Sequence, residues 1–394
     1  MNEYKVRDLL TIKNGKDHKH LGDGKYPVYG SGGIMRYVDS YLYDKPSILL
    51  PRKGTLDNIQ YCDTPFWCVD TTYYSEVNTS LANPYYLYRY LSILNLKGLD
   101  SGTALPSMTF DSYYQIKVSL PNIEMQNRIG NALYQIDQKI ALNSRMNAEL
   151  EAMAKQLYDY WFVQFDFPDE NGNPYKSSGG KMVYNSTLKR EIPAGWEVKN
   201  LNQIADSYRG VTYNKEDLIS ESEDSILVLR GNNIPSSGQF AYDSNVAFIP
   251  KAMVSKEQKI NKGDIIITMS SGSKEHIGKC FMFQSDSNHT FGAFLSKIVP
   301  SIDRRYFIYL SMLSEFFKAF VKTTCNGTGI NNLTNDTFNN VYFSIPNTGI
   351  LSKFESLTGC LYNKVGINQR QNNDLTHLRD SLLPMLMNGQ VTVE

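Results

Sequence analysis

The first residues with a clear capacity for chemistry are two cations at the end of an apolar run. Arg52 and Lys53 directly follow the run 48–51, and Thr55 lies two residues further on. A buried strand that ends in this way presents side chains at a surface. Arginine can pair with both acceptors of guanine in the major groove of DNA, and lysine can contact phosphate. The loop therefore predicts a recognition site with Arg52, Lys53 and Thr55 as candidate contacts.

A second loop of the same kind occurs later in the chain. The apolar run 265–268 is followed by a Ser-rich segment in which Ser271, Ser273 and Lys274 are the candidate contacts. Either loop alone is equally consistent with an ordinary hairpin, but their joint presence in two related regions favours recognition. Arg and Asn side chains in similar polar loops match the edges of guanine and adenine. The remaining candidates from such loops are Ser31, Thr103, Arg230, Asn232, Asn233 and Thr328.

Patterns for catalysis are missing from the sequence. The segment 272–280 lacks the spacing of a phosphate-binding loop, and the five histidines form neither a metalloprotease motif nor a triad-like setting. The segment 83–86, Asn-Pro-Tyr-Tyr, resembles part of the loop with which adenine methyltransferases hold a flipped base, but its second proline and a glycine-rich cofactor loop are absent. Pro84 instead suits the start of a helix. The sequence therefore predicts no catalytic residue, no metal site and no cofactor.

The elements that position the recognition loops occur twice. Gly327 lies 225 residues after Gly102, and both open a Gly-Thr segment of the same spacing. The register persists to Ser-Leu-Pro at 119–121 and Ser-Ile-Pro at 344–346. A duplicated unit predicts two similar readers, whereas a single active-site cleft would not require it.

Each copy runs into a helix with a seven-residue apolar period, which is the signature of a coiled coil. Asn143 and Asn368 occupy equivalent positions, and an Asn on an apolar seam costs stability but fixes register and partner choice. The shared period predicts that the two helices pair antiparallel, the alternative being two independent surface helices. The predicted seam consists of Ile129, Ile136, Asn143, Leu150 and Leu157 in the first helix and Phe354, Leu361, Asn368, Leu375 and Leu382 in the second.

These patterns predict an α+β protein with a pseudo-twofold internal repeat. Two similar mixed α/β domains are separated by two long antiparallel coiled-coil helices. Pro and Gly separate short β-prone runs within each domain, and the run 113–120 is one of those predicted as a strand. The predicted boundaries are 1–122 for the first domain, 123–165 for the central spacer helix, 166–191 for a connector, 192–347 for the second domain and 348–394 for the C-terminal spacer helix.

Composition limits the remaining possibilities. The chain has 40 basic and 40 acidic residues, so bulk charge alone does not hold it to nucleic acid. Its five cysteines form no C-x-x-C pair and indicate reduced thiols in the cytoplasm. No apolar run is long enough for a transmembrane helix, and the N-terminal residues lack the apolar stretch of a signal peptide.

Taken together, the sequence resembles the specificity (S) subunit of a Type I restriction–modification system. The resemblance covers essentially the whole chain. It rests on the segments from the first Gly-Thr through 126, on Ile129 and 136–140, on 157–162 and on the entry Ile-Pro-Ala-Gly-Trp at 192–196. The second copy departs from the pattern at 349–351, where Gly-Ile-Leu replaces Glu-Met-Gln.

The resemblance implies that the two domains are target-recognition domains, held apart by the two antiparallel helices. The subunit would have no catalytic centre and would read a bipartite, asymmetric target in double-stranded DNA, one half-site per domain. It would direct modification (methyltransferase) subunits, two in number, and ATP-dependent restriction subunits to that target. One alternative is a specificity subunit of a related phage-defence or Type II-like system with different partners. Another, from a different class, is a self-contained DNA-modifying enzyme. S-adenosylmethionine binding by the purified chain would distinguish that enzyme from a specificity subunit.

Overall fold

The computed structural model describes residues 1–54, 56–96, 107–234, 246–325, 332–391 and 393. The chain forms two compact units, which are unit 1 (residues 1–141 with 373–394) and unit 2 (residues 142–372). Both combine short strands with helices, so the predicted pair of similar mixed α/β domains is confirmed. Each of the two long helices contributes residues to both units.

Unit 1 contains three small sheets, with strand orders β2-β8-β5-β6, β4-β3-β7 and β1-β9. Strand β5 is buried along its whole length and pairs antiparallel with β8 and β6. The elements, in chain order, are β1 (Asn2–Lys5), α1 (Val6–Leu9), β2 (Leu10–Asn14), β3 (Asp23–Gly30), β4 (Gly33–Val38), β5 (Ser47–Pro51), β6 (Gln60–Cys62), β7 (Trp67–Cys68), β8 (Thr72–Val77), α2 (Pro84–Ser92), α3 (Phe110–Tyr114), β9 (Lys117–Leu120) and α4 (Ile123–Tyr158).

Unit 2 repeats this topology. Its sheets have the orders β13-β19-β16-β17, β15-β14-β18 and β12-β20, and a hairpin β10-β11 precedes them. Helix α4 ends in a π-helical turn, Asp159–Val163. The further elements are β10 (Met182–Asn185), β11 (Arg190–Pro193), β12 (Glu197–Asn200), β13 (Ala205–Arg209), β14 (Ser225–Leu229), β15 (Ala247–Pro250), β16 (Ile265–Thr268), β17 (Cys280–Met282), β18 (His289–Phe291), β19 (Leu295–Pro300), α5 (Arg305–Leu313), α6 (Glu315–Thr324), β20 (Tyr342–Ile345) and α7 (Thr348–Met387).

Local sequence explains where several helices begin. Pro84 stands at the first position of α2, and the Asn83 side chain accepts a hydrogen bond from the Tyr86 N–H, which caps the helix. In unit 2 the equivalent helix α5 is capped from α7, because the Glu355 carboxylate accepts bonds from two N–H groups of its first turn. Thr109 caps α3, so the strand predicted from position 113 is wrong in its first half and begins only with β9.

Within unit 2 the two long helices contact each other through a buried cluster of four asparagines, Asn143, Asn147, Asn368 and Asn372. The Asn143 Nδ2 donates to the Asn372 Oδ1 over 2.9 Å, and the Asn368 Nδ2 donates to the Asn147 Oδ1 over 2.8 Å. The donors Asn143 and Asn368 lie 225 residues apart, as do the acceptors Asn147 and Asn372, so the cluster carries the internal repeat into the helix contact. The order of the pairs shows that these segments run antiparallel.

Within unit 1 the same two helices contact each other through a charged group. Arg379 of α7 donates to the Asp137 carboxylate of α4 over 2.8 Å, and Tyr85 and Arg89 of α2 also bond to that carboxylate. Burial raises the pKa of Asp137, but these hydrogen bonds outweigh burial and hold it below its ordinary value. Beyond this group, Leu383, Leu386 and Met387 pack into the core of unit 1.

The predicted seam lies on the inner side of both helices. Ile129, Asn143, Phe354 and Asn368 are buried, whereas the other six seam residues are half-buried. In α7 the more deeply buried stripe is a neighbouring one that the sequence analysis did not name, and its members are Leu351, Thr358, Val365, Asn372 and Leu386. A continuous coiled coil through both units stays a prediction.

Candidate nucleic-acid interface

Three turns of unit 1 are fixed side by side by main-chain hydrogen bonds. The turn after β7 is closed by a bond from the Thr72 N–H to the Val69 carbonyl. The Thr71 carbonyl accepts from the Arg52 and Lys53 N–H groups, over 2.9 and 3.3 Å, at the end of β5. On the other side the Val69 N–H donates to the Tyr29 carbonyl over 2.9 Å, next to the β3–β4 turn.

Unit 2 reproduces this frame bond for bond. The turn after β18 is closed by a bond from the Leu295 N–H to the Gly292 carbonyl. The Phe294 carbonyl accepts from the Met269 and Ser270 N–H groups, over 2.9 and 3.3 Å, at the end of β16. On the other side the Gly292 N–H donates to the Leu229 carbonyl over 2.9 Å.

We call each set of turns a three-turn face. In unit 1 it consists of residues 30–33, 52–54 and 69–71, and in unit 2 of residues 230–233, 269–274 and 292–294. The structure therefore brings together loops that the sequence could only name separately. It also adds one turn in each unit, 69–71 and 292–294, that the sequence analysis did not identify.

The unit 1 face carries charge of both signs. Lys53 is exposed, and the Arg52 guanidinium is half-buried near the Tyr73 ring and donates to the Asp70 carbonyl over 3.3 Å. Burial raises the pKa of Tyr73, and the Arg52 charge opposes that shift. The Asp70 side chain is exposed beside this loop. Cationic donors and a carboxylate acceptor are thus available on one surface.

A cleft of about 660 Å³ opens beside the unit 1 face. Ser31 lies on its wall, and its carbonyl accepts from the Asn58 Nδ2 over 2.7 Å, which fixes the β3–β4 turn. His18 also lines the cleft, and its buried Nδ1 has no hydrogen-bond partner among the residues that the structure describes. The cleft can accept a group with polar edges, such as the edge of a base.

The unit 2 face presents different side chains. The Arg230 Nε donates to the Tyr213 hydroxyl over 3.0 Å, so its guanidinium is oriented, and Asn232 is exposed. Asn233 corrects the expectation of an exposed loop, because it is buried and its Oδ1 accepts from the Arg230 N–H over 2.8 Å. Asn233 therefore shapes the loop, while Arg230 and Asn232 are the side chains that the loop presents.

The remaining candidates are more weakly constrained. Ser273 is exposed and Ser271 half-buried, with the Ser273 N–H donating to the Ser271 Oγ over 3.3 Å. Lys274 begins a short 3-10 helix that ends at His276. Thr55, Thr103 and Thr328 lie outside the described residues.

The two faces differ most in the side chains of the turns that the sequence analysis did not identify. Unit 1 has Asp70 and Thr71 at the centre of its turn, whereas unit 2 has Ala293 and Phe294. The Phe294 side chain is 69% exposed. In the sequence, the one sign of the unit 2 turn is a large apolar residue directly after Gly-Ala, between two apolar strands.

The described part of the chain lacks both a cluster of metal-binding side chains and a membrane-spanning helix. No group of three or more His, Cys, Asp or Glu side chains could hold a metal ion there. Over the same residues, no helix combines the length and the apolar character that crossing a membrane requires.

Comparison with known protein families gives one consistent match. A family model described as "Type I restriction modification DNA specificity domain" matches residues 1–152 and 193–374. The two matches contain both three-turn faces and most of both long helices.

Individual relatives agree with the family match. The chain is 28% identical over 313 residues to the Type I restriction enzyme MjaIX specificity subunit of Methanocaldococcus jannaschii, which covers 79% of this chain and 69% of that protein. It is 29% identical over 208 residues to the Type I restriction enzyme EcoKI specificity subunit of Escherichia coli, which covers 51% of this chain and 44% of that protein. The second alignment thus spans less than half of the relative's length.

A solved structure shares the fold. The S subunit of a Type I restriction–modification system from M. genitalium superposes with a TM-score of 0.61 at 16% sequence identity. The superposition covers 98% of this chain and 95% of that one.

Proposed function

The chain belongs to the Type I restriction modification DNA specificity family, and we propose that each of its two three-turn faces reads one half of a bipartite DNA target. The chain is a DNA sequence-recognition subunit. The observation that carries the proposal is the pair of matched frames. The same main-chain bonds hold the three turns in both units, whereas the side chains on the turns differ. Two readers with different side chains fit two different half-sites, and hence an asymmetric target.

The side chains on the faces suit base edges. In unit 1, Arg52 can donate to guanine and Asp70 can accept from the amino group of cytosine, while Lys53 is free to contact phosphate. In unit 2, Arg230 and Asn232 suit guanine and adenine. The half-site read by unit 1 is therefore expected to contain a G·C pair. The net charge of zero agrees with reading by local contacts rather than by bulk attraction.

The chain contributes recognition to a larger assembly. We propose that it works in the cytoplasm, where its thiols stay reduced, and that it directs two modification subunits and the restriction subunits of its own system to the target. In this assembly the chain itself catalyses no step. Support comes from the family membership and from relatives named as specificity subunits of Type I restriction enzymes.

Methylome sequencing tests the proposal. The chain would be expressed with the modification subunits of its system in a host without other DNA methylation. The expected result is methylation of adenine in a motif with two specified parts and an unspecified gap, lost when the chain is omitted. Methylation that persists without the chain, or a motif without a gap, would contradict the proposal. S-adenosylmethionine binding by the purified chain would contradict the non-catalytic role.

A further inference from the structure

Phe294 stands between the two loops of unit 2 that are predicted to meet DNA. Its carbonyl accepts the Met269 and Ser270 N–H groups at the start of one loop. Two residues earlier, the Gly292 N–H donates to the Leu229 carbonyl, directly before Arg230 of the other loop. The ring is thus placed on the three-turn face by bonds on both sides of the turn.

The ring is exposed although its backbone is fixed. The side chain is 69% exposed, and the turn is closed by a hydrogen bond of 2.9 Å from the Leu295 N–H to the Gly292 carbonyl. A single exposed apolar side chain is common on protein surfaces, but Phe294 is distinguished by its place among the polar residues of the three-turn face. An aromatic ring with a fixed backbone also loses little conformational entropy on binding, because it has only two rotatable bonds.

The chemistry of the position points to a methyl group. Phenylalanine, alanine and the methyl group of threonine are the side chains that contact the C5 methyl of thymine in the major groove. The two units carry these types at the centre of the turn, with Ala293 and Phe294 in unit 2 and Thr71 in unit 1. A wedge between base pairs, the other use of an exposed Phe on DNA, has no counterpart in Thr71.

We propose that Phe294 determines specificity in unit 2 by packing its ring on the C5 methyl group of a thymine in the half-site that this unit reads. The inference rests on the proposed function and adds one named base to it. The half-site of unit 2 then contains at least one A·T pair, and Phe294 recognises it without a hydrogen bond.

The test compares thymine with uracil, which lacks only the C5 methyl group. The methylome of the wild-type complex first defines the motif, and Arg52→Ala, which acts through unit 1, identifies by elimination the half-site of unit 2. Duplexes of that motif are then made with each thymine of this half-site replaced in turn by uracil. The wild-type complex should bind one such duplex roughly three- to tenfold more weakly, the range for losing one buried methyl group.

Phe294→Ala completes the test. The variant should bind the thymine duplex more weakly by a similar factor, should no longer distinguish thymine from uracil, and should show a methylation motif relaxed at that base pair alone. Tyr184→Ala is the matched control, because Tyr184 is also 69% exposed in unit 2 but lies in β10, outside the face. This control should keep the wild-type motif and the response to uracil.

Three results would overturn the inference. In the first, Phe294→Ala leaves the methylation motif unchanged, and in the second, the wild-type complex binds equally well with uracil in place of every thymine. The third result is a half-site of unit 2 that contains no A·T pair. Weaker binding of Phe294→Ala without any response of the wild type to uracil would indicate a wedge and would equally overturn it. Failure of the proposed function would be visible earlier, as a wild-type chain that directs no sequence-dependent methylation.

Discussion

At the scale of single residues, main-chain groups hold the turns of each face in place, and different groups, the side chains, are available to read DNA. The frame is made by main-chain N–H and carbonyl groups, which every residue type except proline supplies in full. Arg52 and Met269 therefore occupy equivalent positions and donate the same backbone bond, although their side chains have nothing in common. Replacing an exposed side chain on a face should change what is read and leave the fold intact, whereas the buried Asn233 shapes its loop.

Arg52→Ala and Lys53→Ala should fail in different ways. A base contact contributes roughly 1–3 kcal/mol of discrimination, so Arg52→Ala should relax one base pair in one half-site. A phosphate contact carries no sequence information, so Lys53→Ala should weaken binding to all sequences and reduce the salt dependence by about one counterion. Binding of the assembled complex measured from 50 to 200 mM salt separates the two effects. Unchanged target binding by both variants would make the loop structural only.

A half-buried carboxyl of unit 2, that of Glu151, makes stability depend on pH. Burial raises the pKa of Glu151 to about 7, from an ordinary value of 4.5. Between these values the folded chain binds more protons than the unfolded chain, so stability falls as pH rises. Glu151→Gln should therefore raise the free energy of unfolding at pH 8, by at most about 3 kcal/mol, and change it little at pH 4.

Calorimetric melting at the two pH values measures this difference. Glu149→Gln, at an exposed position of the same helix, provides the control and should show no gain that depends on pH. An equal shift of the melting temperature at pH 4 and pH 8 for Glu151→Gln would contradict the effect of burial.

At the scale of elements, the asparagine cluster explains why a polar stretch interrupts both apolar seams. Two hydrogen bonds join the four buried amides across α4 and α7, and sliding one helix past the other would break both of them. The cluster also contains an unsatisfied acceptor, because the Asn143 Oδ1 is buried and has no partner among the described residues. Such networks select a register at a cost in stability.

Replacing two of the four asparagines should lower the melting temperature more than replacing all four. Asn143→Leu with Asn368→Leu removes the amide that donates to the Asn147 oxygen and one amide that donates to the Asn372 oxygen, and a buried acceptor that loses its donor costs about 1–3 kcal/mol. The double variant should therefore melt below the wild type. Leucine at all four positions removes the stranded acceptors and should melt above the double variant. A double variant that melts above the wild type would show that these amides do not depend on each other.

The elements could be predicted where the signal is local or periodic. The heptads gave the two long helices, and Pro84 gave the start of α2. The strand predicted from 113 failed because the Thr109 cap starts a helical turn, a local signal that β-propensity outweighed in the sequence analysis. Only part of the candidate site could be predicted from the sequence, because the bonds that bring Phe294 beside Arg230 join residues far apart in sequence. Burial of Asn233 likewise depends on how its turn bends, which composition does not encode.

At the scale of the whole molecule, the helices are proposed to set the distance between the half-sites. Seven residues inserted after Arg145 and seven after Arg370 would keep both seams on the same faces. Both asparagine pairs would also be preserved, since Asn143 and Asn372 lie on one side of the inserts and Asn147 and Asn368 lie on the other. One heptad adds roughly 10 Å of helix, or about three base pairs. The methylated motif should keep both parts while its gap lengthens by about three positions.

The same seven residues inserted after Gly179, in an exposed turn of the connector, provide the control and should leave the gap unchanged. Methylome sequencing reads both results. A changed half-site with an unchanged gap in the helix variant would show that the helices contact bases and do not act as a spacer.

The division of α7 between the units also orders events during synthesis. Leu383, Leu386 and Met387 belong to the same core as Ile129 and Leu133, but translation supplies them some 250 residues later. At roughly 5–20 residues per second, the growing chain carries that apolar surface uncovered for on the order of 10–50 s. Unit 2 is complete in sequence before unit 1 is. The half of the protein that leaves the ribosome first is thus the last to receive all the residues of its core.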